Sequence, residues 1–376
     1  MEVQFVTSRY HQHIKRVEIY VKSIAERLVK RGYDVEVYAT DPKGNLAERE
    51  EVNSVTVRRF RSFAPGNAYY LPSRSMLTAL KASDADIVHA HNIQAFPLLY
   101  ACIAKREWQR LVLTTHMHSG ASTRFRNMLL PLYLRVVRDQ IRSRADTIIC
   151  VSEFEKEIVM RRLGIDSRRV MVIPNGISED VFNVKRIADD GFNLLSVGRL
   201  ERFKNFDKVI EALHTLHREY GYKGARLTIV GYGPDKDRLI ELVREFNLED
   251  DIRFKSNLSR EELLQEYARA KIFLLPSEYE SYGIAAVESI AMGIPTIVNN
   301  GSALVEFVKG GSAIGIDPPI TAKKVADAIV RAIDFKPNDV RESILTWDEV
   351  VDRLEQLYSK MVENSLHIKQ NFNNID

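Results

Sequence analysis

The chain has 376 residues, 45% of them hydrophobic and 28% charged, with a formal net charge of +3. That length makes two domains the natural expectation, the composition is that of an ordinary globular protein, and so small a net charge gives no case for a nucleic-acid partner. No apolar run approaches the roughly 20 residues that span a bilayer.

From the start, MEVQFVTSRYHQH lacks the basic-then-apolar order of a signal peptide. Val3 to Val6 has the pattern of a strand. Val17 to Lys30 predicts an amphipathic helix that ends at Gly32. Further strands are expected at Val35–Ala39, Val55–Phe60, Ile87–His91, Leu111–His116 and Thr147–Val151, separated by helix-period segments. Such alternation predicts a mostly parallel, helix-covered sheet. Cys102 and Cys150 lie in apolar contexts, as buried thiols of a reducing compartment would; a cytoplasmic protein is expected. His89 and His91 alternate on the strand DIVHAH and so face one side. No Asp, Glu or Cys completes a metal set with them, which favours a structural role. His116 closes the strand LVLTTH. The stretch Arg124 to Arg144 is basic on several faces around an apolar core, the pattern of a long domain helix or of a segment lying on an anionic membrane.

A strand near Val170–Ile173 ends at Pro174-Asn175-Gly176, and polar sequence follows to about Gly191. The expected division is therefore a first domain of residues 1–185 and a second of 186–345. A C-terminal helix over 346–364 and a frayed tail over 365–376 complete the chain. Alternation restarts in the second domain with strands at Asn193–Val197, Arg226–Val230, Ile252–Lys255, Ile272–Leu275, Thr296–Val298 and Ala313–Ile316. Two successive α/β units leave a cleft between them, a common place for a ligand.

Three motifs in the second domain point to a phosphorylated sugar ligand. The first strand runs into Gly198-Arg199-Leu200-Glu201-Arg202-Phe203-Lys204. A glycine at a strand end permits close backbone approach, and Arg199 with Lys204 can place two cations beside a diphosphate. The next strand ends in Gly231-Tyr232-Gly233-Pro234, a tight turn. The third motif is Phe273 to Gly301, FLLPSEYESYGIAAVESIAMGIPTIVNNG. It predicts a strand, a loop, a short helix over Ile284–Met292 and a second strand, with Glu280 and Glu288 in an E-x7-E spacing. Two carboxylates at the carboxyl edge of a parallel sheet suit sugar or ribose hydroxyls, or positive charge developing at a sugar carbon.

The third motif resembles the donor-binding signature of retaining, nucleotide-sugar-dependent glycosyltransferases of family 4. All its fixed positions are present: Pro276, Ser277, Glu280, Tyr282, Gly283, Glu288, Gly293 and Pro295. The resemblance implies a GT-B fold, with two doubly wound Rossmann-like domains, a central cleft and a C-terminal crossover helix. It further implies a metal-independent hexosyltransferase that needs no cofactor beyond its nucleotide-sugar donor. Arg199 and Lys204 would hold the donor diphosphate, with Gly198, Gly231 and Gly233 beside the nucleotide. Glu280 would position the sugar, Tyr282 and Gly283 would shape the loop, and Glu288 would hold the ribose. His116 matches the position that contacts the transferred sugar. Asn300-Gly301-Ser302 with Glu306 is a partial match to a further family element. The implied acceptor is a glycan or a lipid-linked sugar, with peripheral membrane contact through 124–144. One departure stands out: Lys15 and Arg16 occupy the places where members carry Gly-Gly before the first long helix. Their charge and bulk keep a second expectation open, a GT-B nucleotide-binding scaffold without transfer activity. The lack of a G-x-G-x-x-G after the first strand argues against a bare Rossmann dehydrogenase.

Overall fold

The computed structural model of the protein describes residues 1–11, 16–64, 70–117, 124–187 and 191–363. Lys15 and the tail over 365–376 lie outside the described residues, as does the side chain of Arg16. The chain divides into two compact units: Met1–Asn175 with Trp347–Asp376, and Gly176–Thr346.

In the first unit the strands are β1 (Glu2–Val6), β2 (Asp34–Asp41), β3 (Arg49–Val52), β4 (Val55–Phe63), β5 (Leu71–Pro72), β6 (Ile87–His91), β7 (Arg110–Thr114), β8 (Thr147–Cys150) and β9 (Val170–Val172). Its helices are α1 (Arg16–Lys30), α2 (Arg74–Lys81), α3 (Phe96–Ala104), α4 (Arg124–Arg144) and α5 (Glu153–Leu163). The sheet order is β3-β4-β2-β1-β6-β7-β8-β9, with β5 paired to β4. Only the β3–β4 and β4–β5 pairs are antiparallel. These two short strands escape the sequence pattern because REEV and LP carry no apolar alternation.

One face of this sheet packs under α2 to α5, where Val88, Ala90, Leu111, Leu113 and Ile148 meet Met76, Leu98, Val137 and Val159. Within α4, Tyr133, Val137 and Ile141 face this core, while Arg135, Val136, Arg142 and Arg144 are exposed. The opposite face carries Phe5, His89 and His91, since neighbours along a strand point to opposite sides. It is covered by α1 and by the last helix of the chain, Trp347–Glu363, numbered α12 below. That helix belongs to the first unit. Its Tyr358 hydroxyl lies 2.5 Å from His89 Nδ1, and the other His89 nitrogen lies 2.7 Å from Thr114 Oγ1. Trp347 meets Tyr20 of α1 edge-on at 5.8 Å. Arg27 pairs with Asp348 at 3.0 Å and Arg31 with Asp352 at 2.6 Å.

The second unit contains β10 (Phe192–Val197), β11 (Ala225–Val230), β12 (Ile252–Lys255), β13 (Ile272–Leu275), β14 (Thr296–Asn299) and β15 (Ile314–Ile316). Between and after them run α6 (Phe206–Glu219), α7 (Lys236–Glu245), α8 (Arg260–Arg269), α9 (Ile284–Ala291), α10 (Val305–Lys309) and α11 (Ala322–Ala332), ahead of α12. Every strand pair is parallel. The order is β12-β11-β10-β13-β14-β15, the doubly wound arrangement in which the winding reverses between the first and fourth strands. A parallel sheet is buried on both faces, which is why β13 is an unbroken apolar run. Leu274 joins the core under α6, α7 and α11, whereas Phe273 stacks on Tyr267 of α8 across the other face.

The division of the chain falls at Asn175–Gly176, ahead of the 185/186 boundary that the polar stretch marks in the sequence. Residues 177–187 are held by the second unit. Ile177 bridges to Thr346 and donates to the Leu345 carbonyl at 2.9 Å, and the Ile187 amide donates to Ala268 at 3.0 Å.

Tyr358→Phe removes the hydroxyl that satisfies a fully buried imidazole. It should destabilise the protein by about 1–3 kcal/mol, read as a lower urea midpoint. An unchanged midpoint would mean that the His89 contact contributes nothing to the docking of α12.

Candidate active site

The strand order places a switch point between β10 and β13, where ligands of open α/β sheets bind beyond the carboxyl ends of the strands. The loops that leave those two ends carry Gly198, Arg199 and Lys204 on one side and Glu280, Tyr282 and Gly283 on the other. Lys204 sits in a short helical turn, Arg202–Lys204, and its Nζ pairs with Glu280 Oε1. Both are almost wholly enclosed, Lys204 at 5% and Glu280 at 2% exposure. A buried pair of this kind persists only in a rigid setting, and the surrounding backbone supplies one. Asn205, left-handed at φ 57°, donates from Nδ2 to the Pro276 carbonyl at 2.8 Å. The Glu278 amide donates to Phe203 at 2.8 Å. Asn299 Nδ2 donates to Ser277 at 3.0 Å, and the Ala303 amide to Glu280 at 3.1 Å. Asn205 and Asn299 are parts of the site that motif reading passed over, because an amide that clamps a carbonyl across the fold leaves no local pattern.

Arg199, also expected at the diphosphate, is turned toward Glu201 at 2.9 Å, and its Nε is buried without a hydrogen-bond partner among the described residues. At Gly231 and Gly233 the tight turn expected from the sequence brings two backbones into contact. A Cβ at Gly231 would run into the Gly198 carbonyl, and one at Gly233 into the backbone of Leu200. The two strand-end loops lie side by side, with the Leu200 amide donating to Tyr232 at 2.9 Å and the Asp235 amide to Leu200 at 3.0 Å. Gly198 faces Lys204, its added Cβ being 4.0 Å from Lys204 Cε. Gly283 starts α9 at φ 78°, a conformation that disfavours any side chain, and Leu304 fills the space a Cβ would need. Tyr282 is buried, and burial followed by the charge of Glu306 in α10 raises its phenol.

Glu288 lies on α9, buried, and accepts from Arg260 Nη1 at 2.8 Å. Arg260 opens α8 behind its Ser259 capping box and forks onto Asp180 at 2.9 and 2.8 Å. Burial raises the Glu288 carboxyl, and the neighbouring guanidinium opposes this. Neither Arg260 nor Asp180 was predicted from sequence; Asp180 is 108 positions before Glu288 by residue number, and only the fold brings the three together.

His116 belongs to the first unit. The structure corrects the expected strand Leu111–His116: β7 stops at Thr114, and His116 sits past it at φ 46°. Its ring meets Tyr20 edge-on at 4.9 Å and stacks on His91 at 5.8 Å. Burial, then the neighbouring His116, lowers His89 to about 3, so this row of imidazoles is neutral at its buried end, in keeping with a structural role for His89 and His91. Among the described residues no group of three His, Cys, Asp or Glu side chains is arranged to hold a metal. No described helix is long and apolar enough to cross a membrane. The turn beside His116 is held by Glu155, another residue that motif reading missed. Burial raises this carboxyl to about 7, against the pull of hydrogen bonds from Val151, Thr115 and Met117.

Two measurements check this electrostatic picture. Lys204→Met removes the cation paired with the buried Glu280 Oε1 and should cost about 3–5 kcal/mol, whereas the double variant Lys204→Met/Glu280→Gln should recover most of the loss. Additive losses in urea unfolding would contradict a direct pair. For Glu155, the native state keeps a proton between pH 4.5 and about 7 that the unfolded chain has released. Its contribution is therefore full below pH 4.5 and falls by about 3 kcal/mol as pH rises through that window. Glu155→Gln should flatten this slope; urea melts at pH 5 and 7.5 that keep the full slope would refute it.

Comparison with known proteins agrees with this geometry. Residues 17–181 match the family model described as Glycosyltransferase Family 4, and residues 178–343 match that of Glycosyl transferases group 1. An uncharacterized glycosyltransferase of Methanocaldococcus jannaschii is 26% identical, over 96% of this chain and 99% of its own length. A D-inositol 3-phosphate glycosyltransferase of Catenulispora acidiphila is 26% identical, over 93% of this chain and 90% of its own. Among solved structures, sucrose-phosphate synthase from Thermosynechococcus elongatus superposes with a TM-score of 0.76 at 20% identity, covering 96% of this chain and 99% of that one. Anabaena HepE in complex with UDP-glucose does so at 0.73 and 16% identity, covering 96% and 100%. The chain belongs to family 4 of the glycosyltransferases and is an enzyme of the GT-B fold.

Proposed function

We propose that this glycosyltransferase moves a hexose-type sugar, with retention, from a UDP- or GDP-sugar to a hydroxyl of a glycan or lipid-linked sugar. The observation that carries this reading is the buried Lys204–Glu280 pair at the switch point of the second unit. A diphosphate entering there meets Lys204 and, from the same loop, Arg199. These two cations neutralise the leaving diphosphate without a metal ion. As Lys204 turns to the phosphates, the Glu280 carboxylate is left facing the sugar, where it stabilises positive charge at the anomeric carbon. No protein nucleophile is required: the bond to the diphosphate breaks, the acceptor oxygen arrives on the same face, and the acceptor's hydroxyl proton passes to the leaving phosphate oxygen. Glu288, steadied by Arg260, binds the ribose, and His116 contacts the sugar. A nucleotide-sugar donor is supported by the UDP-glucose bound to HepE.

A screen of UDP-, GDP- and ADP-sugars, recording donor hydrolysis and thermal shift together, tests the reading. One donor should both stabilise the protein and be hydrolysed, and Glu280→Gln should lower turnover by about 10²–10³-fold with nucleotide binding retained. Lys15→Gly/Arg16→Gly runs beside it: binding without turnover in the native chain, with turnover gained in this variant, would establish the inactive-scaffold alternative. Absence of binding to every donor would overturn the transferase reading.

A further inference from the structure

We propose that Glu155 is the positioning residue for His116, acting by clamping the chain on both sides of it; the catalytic consequence rests on the role given to His116 above. Glu155 lies in the first turn of α5, with no solvent exposure. Its Oε1 accepts from Thr115 Oγ1 at 2.8 Å and also from the Met117 amide, so the residues before and after His116 are tied to one oxygen. Its Oε2 accepts from the Val151 amide at 2.7 Å, at the end of β8, and its own amide donates to Ser152 Oγ at 3.1 Å. One carboxylate thus joins the ends of β7 and β8 to the start of α5.

The turn needs such an anchor. His116 adopts a left-handed φ of 46°, which costs a side-chain-bearing residue free energy unless its surroundings over-determine it. Once ionised, above about pH 7, the side chain has two oxygens that accept from three donors at once. In Glu155→Gln one oxygen becomes an NH2 group, which faces either the Met117 or the Val151 amide donor to donor. The turn would then relax and carry the imidazole away from its place beside Tyr20.

The test compares full-length wild type, Glu155→Gln, His116→Ala and the double variant, with Thr115→Val as a milder cut that keeps the fold if Glu155→Gln does not. Amide hydrogen exchange at Met117 should quicken in Glu155→Gln and Thr115→Val while protection in the β10–β15 sheet is unchanged. With UDP-glucose as probe donor, kcat for hydrolysis should fall by about tenfold or more, KM and the UDP dissociation constant should stay within about twofold, and the double variant should be no slower than His116→Ala, because the two residues act as one unit. Unchanged exchange at Met117 in a folded variant overturns the clamp. A double variant slower by the product of the two single effects overturns action through His116. Full turnover by His116→Ala would instead remove the sugar-contact role of His116, and the exchange measurement alone would then decide the clamp.

Discussion

A parallel strand cannot return to its neighbour by a hairpin, and most of this molecule follows from that constraint. Each strand of the second unit must be followed by a crossover, both faces of its sheet are thereby covered, and all its strands end at the same edge. The turns at that edge have little room. Loops from β10 and β11 run in contact, so Gly231 and Gly233 are needed for the backbones to pass. The reversal of winding between β10 and β13 then opens one place where two loops diverge, and the motif residues converge there.

Charge inside the protein is handled by pairing and by hydrogen bonds. Lys204 with Glu280, and Arg260 with Glu288 and Asp180, each combine a buried or half-buried cation with a carboxylate. Burial raises a lone carboxyl, and the partner opposes that rise, as at Glu288. Glu155 solves the same problem without a cation, by collecting one hydroxyl and two backbone amides. The first arrangement leaves a cation that a ligand's phosphate can compete for. The second leaves nothing to exchange and serves as a fixed joint.

The first unit shows how a structural helix can complete a core from far along the chain. Its sheet face bearing His89 and His91 needs a cover with a hydroxyl at the right point, and Tyr358 of α12 supplies it. Burial keeps His89 and His91 neutral, and His116, also buried, ends the row in the turn after β7.

Much was legible in the sequence. Unbroken or alternating apolar runs, glycines at strand ends and the E-x7-E spacing are local features, and they determined the α/β class, the parallel strands, α9 and α12, and the identity of Arg199, Lys204, Glu280 and Glu288 as residues of interest. Pairing is not local. That Lys204 meets Glu280, that Arg260 and Asp180 steady Glu288, that β7 ends two residues before His116, and that residues 177–187 join the second unit were decided by tertiary structure. In each case the deciding contact joins side chains or backbone groups whose proximity depends on how the sheets stack their crossovers, and no spacing along the chain encodes that distance.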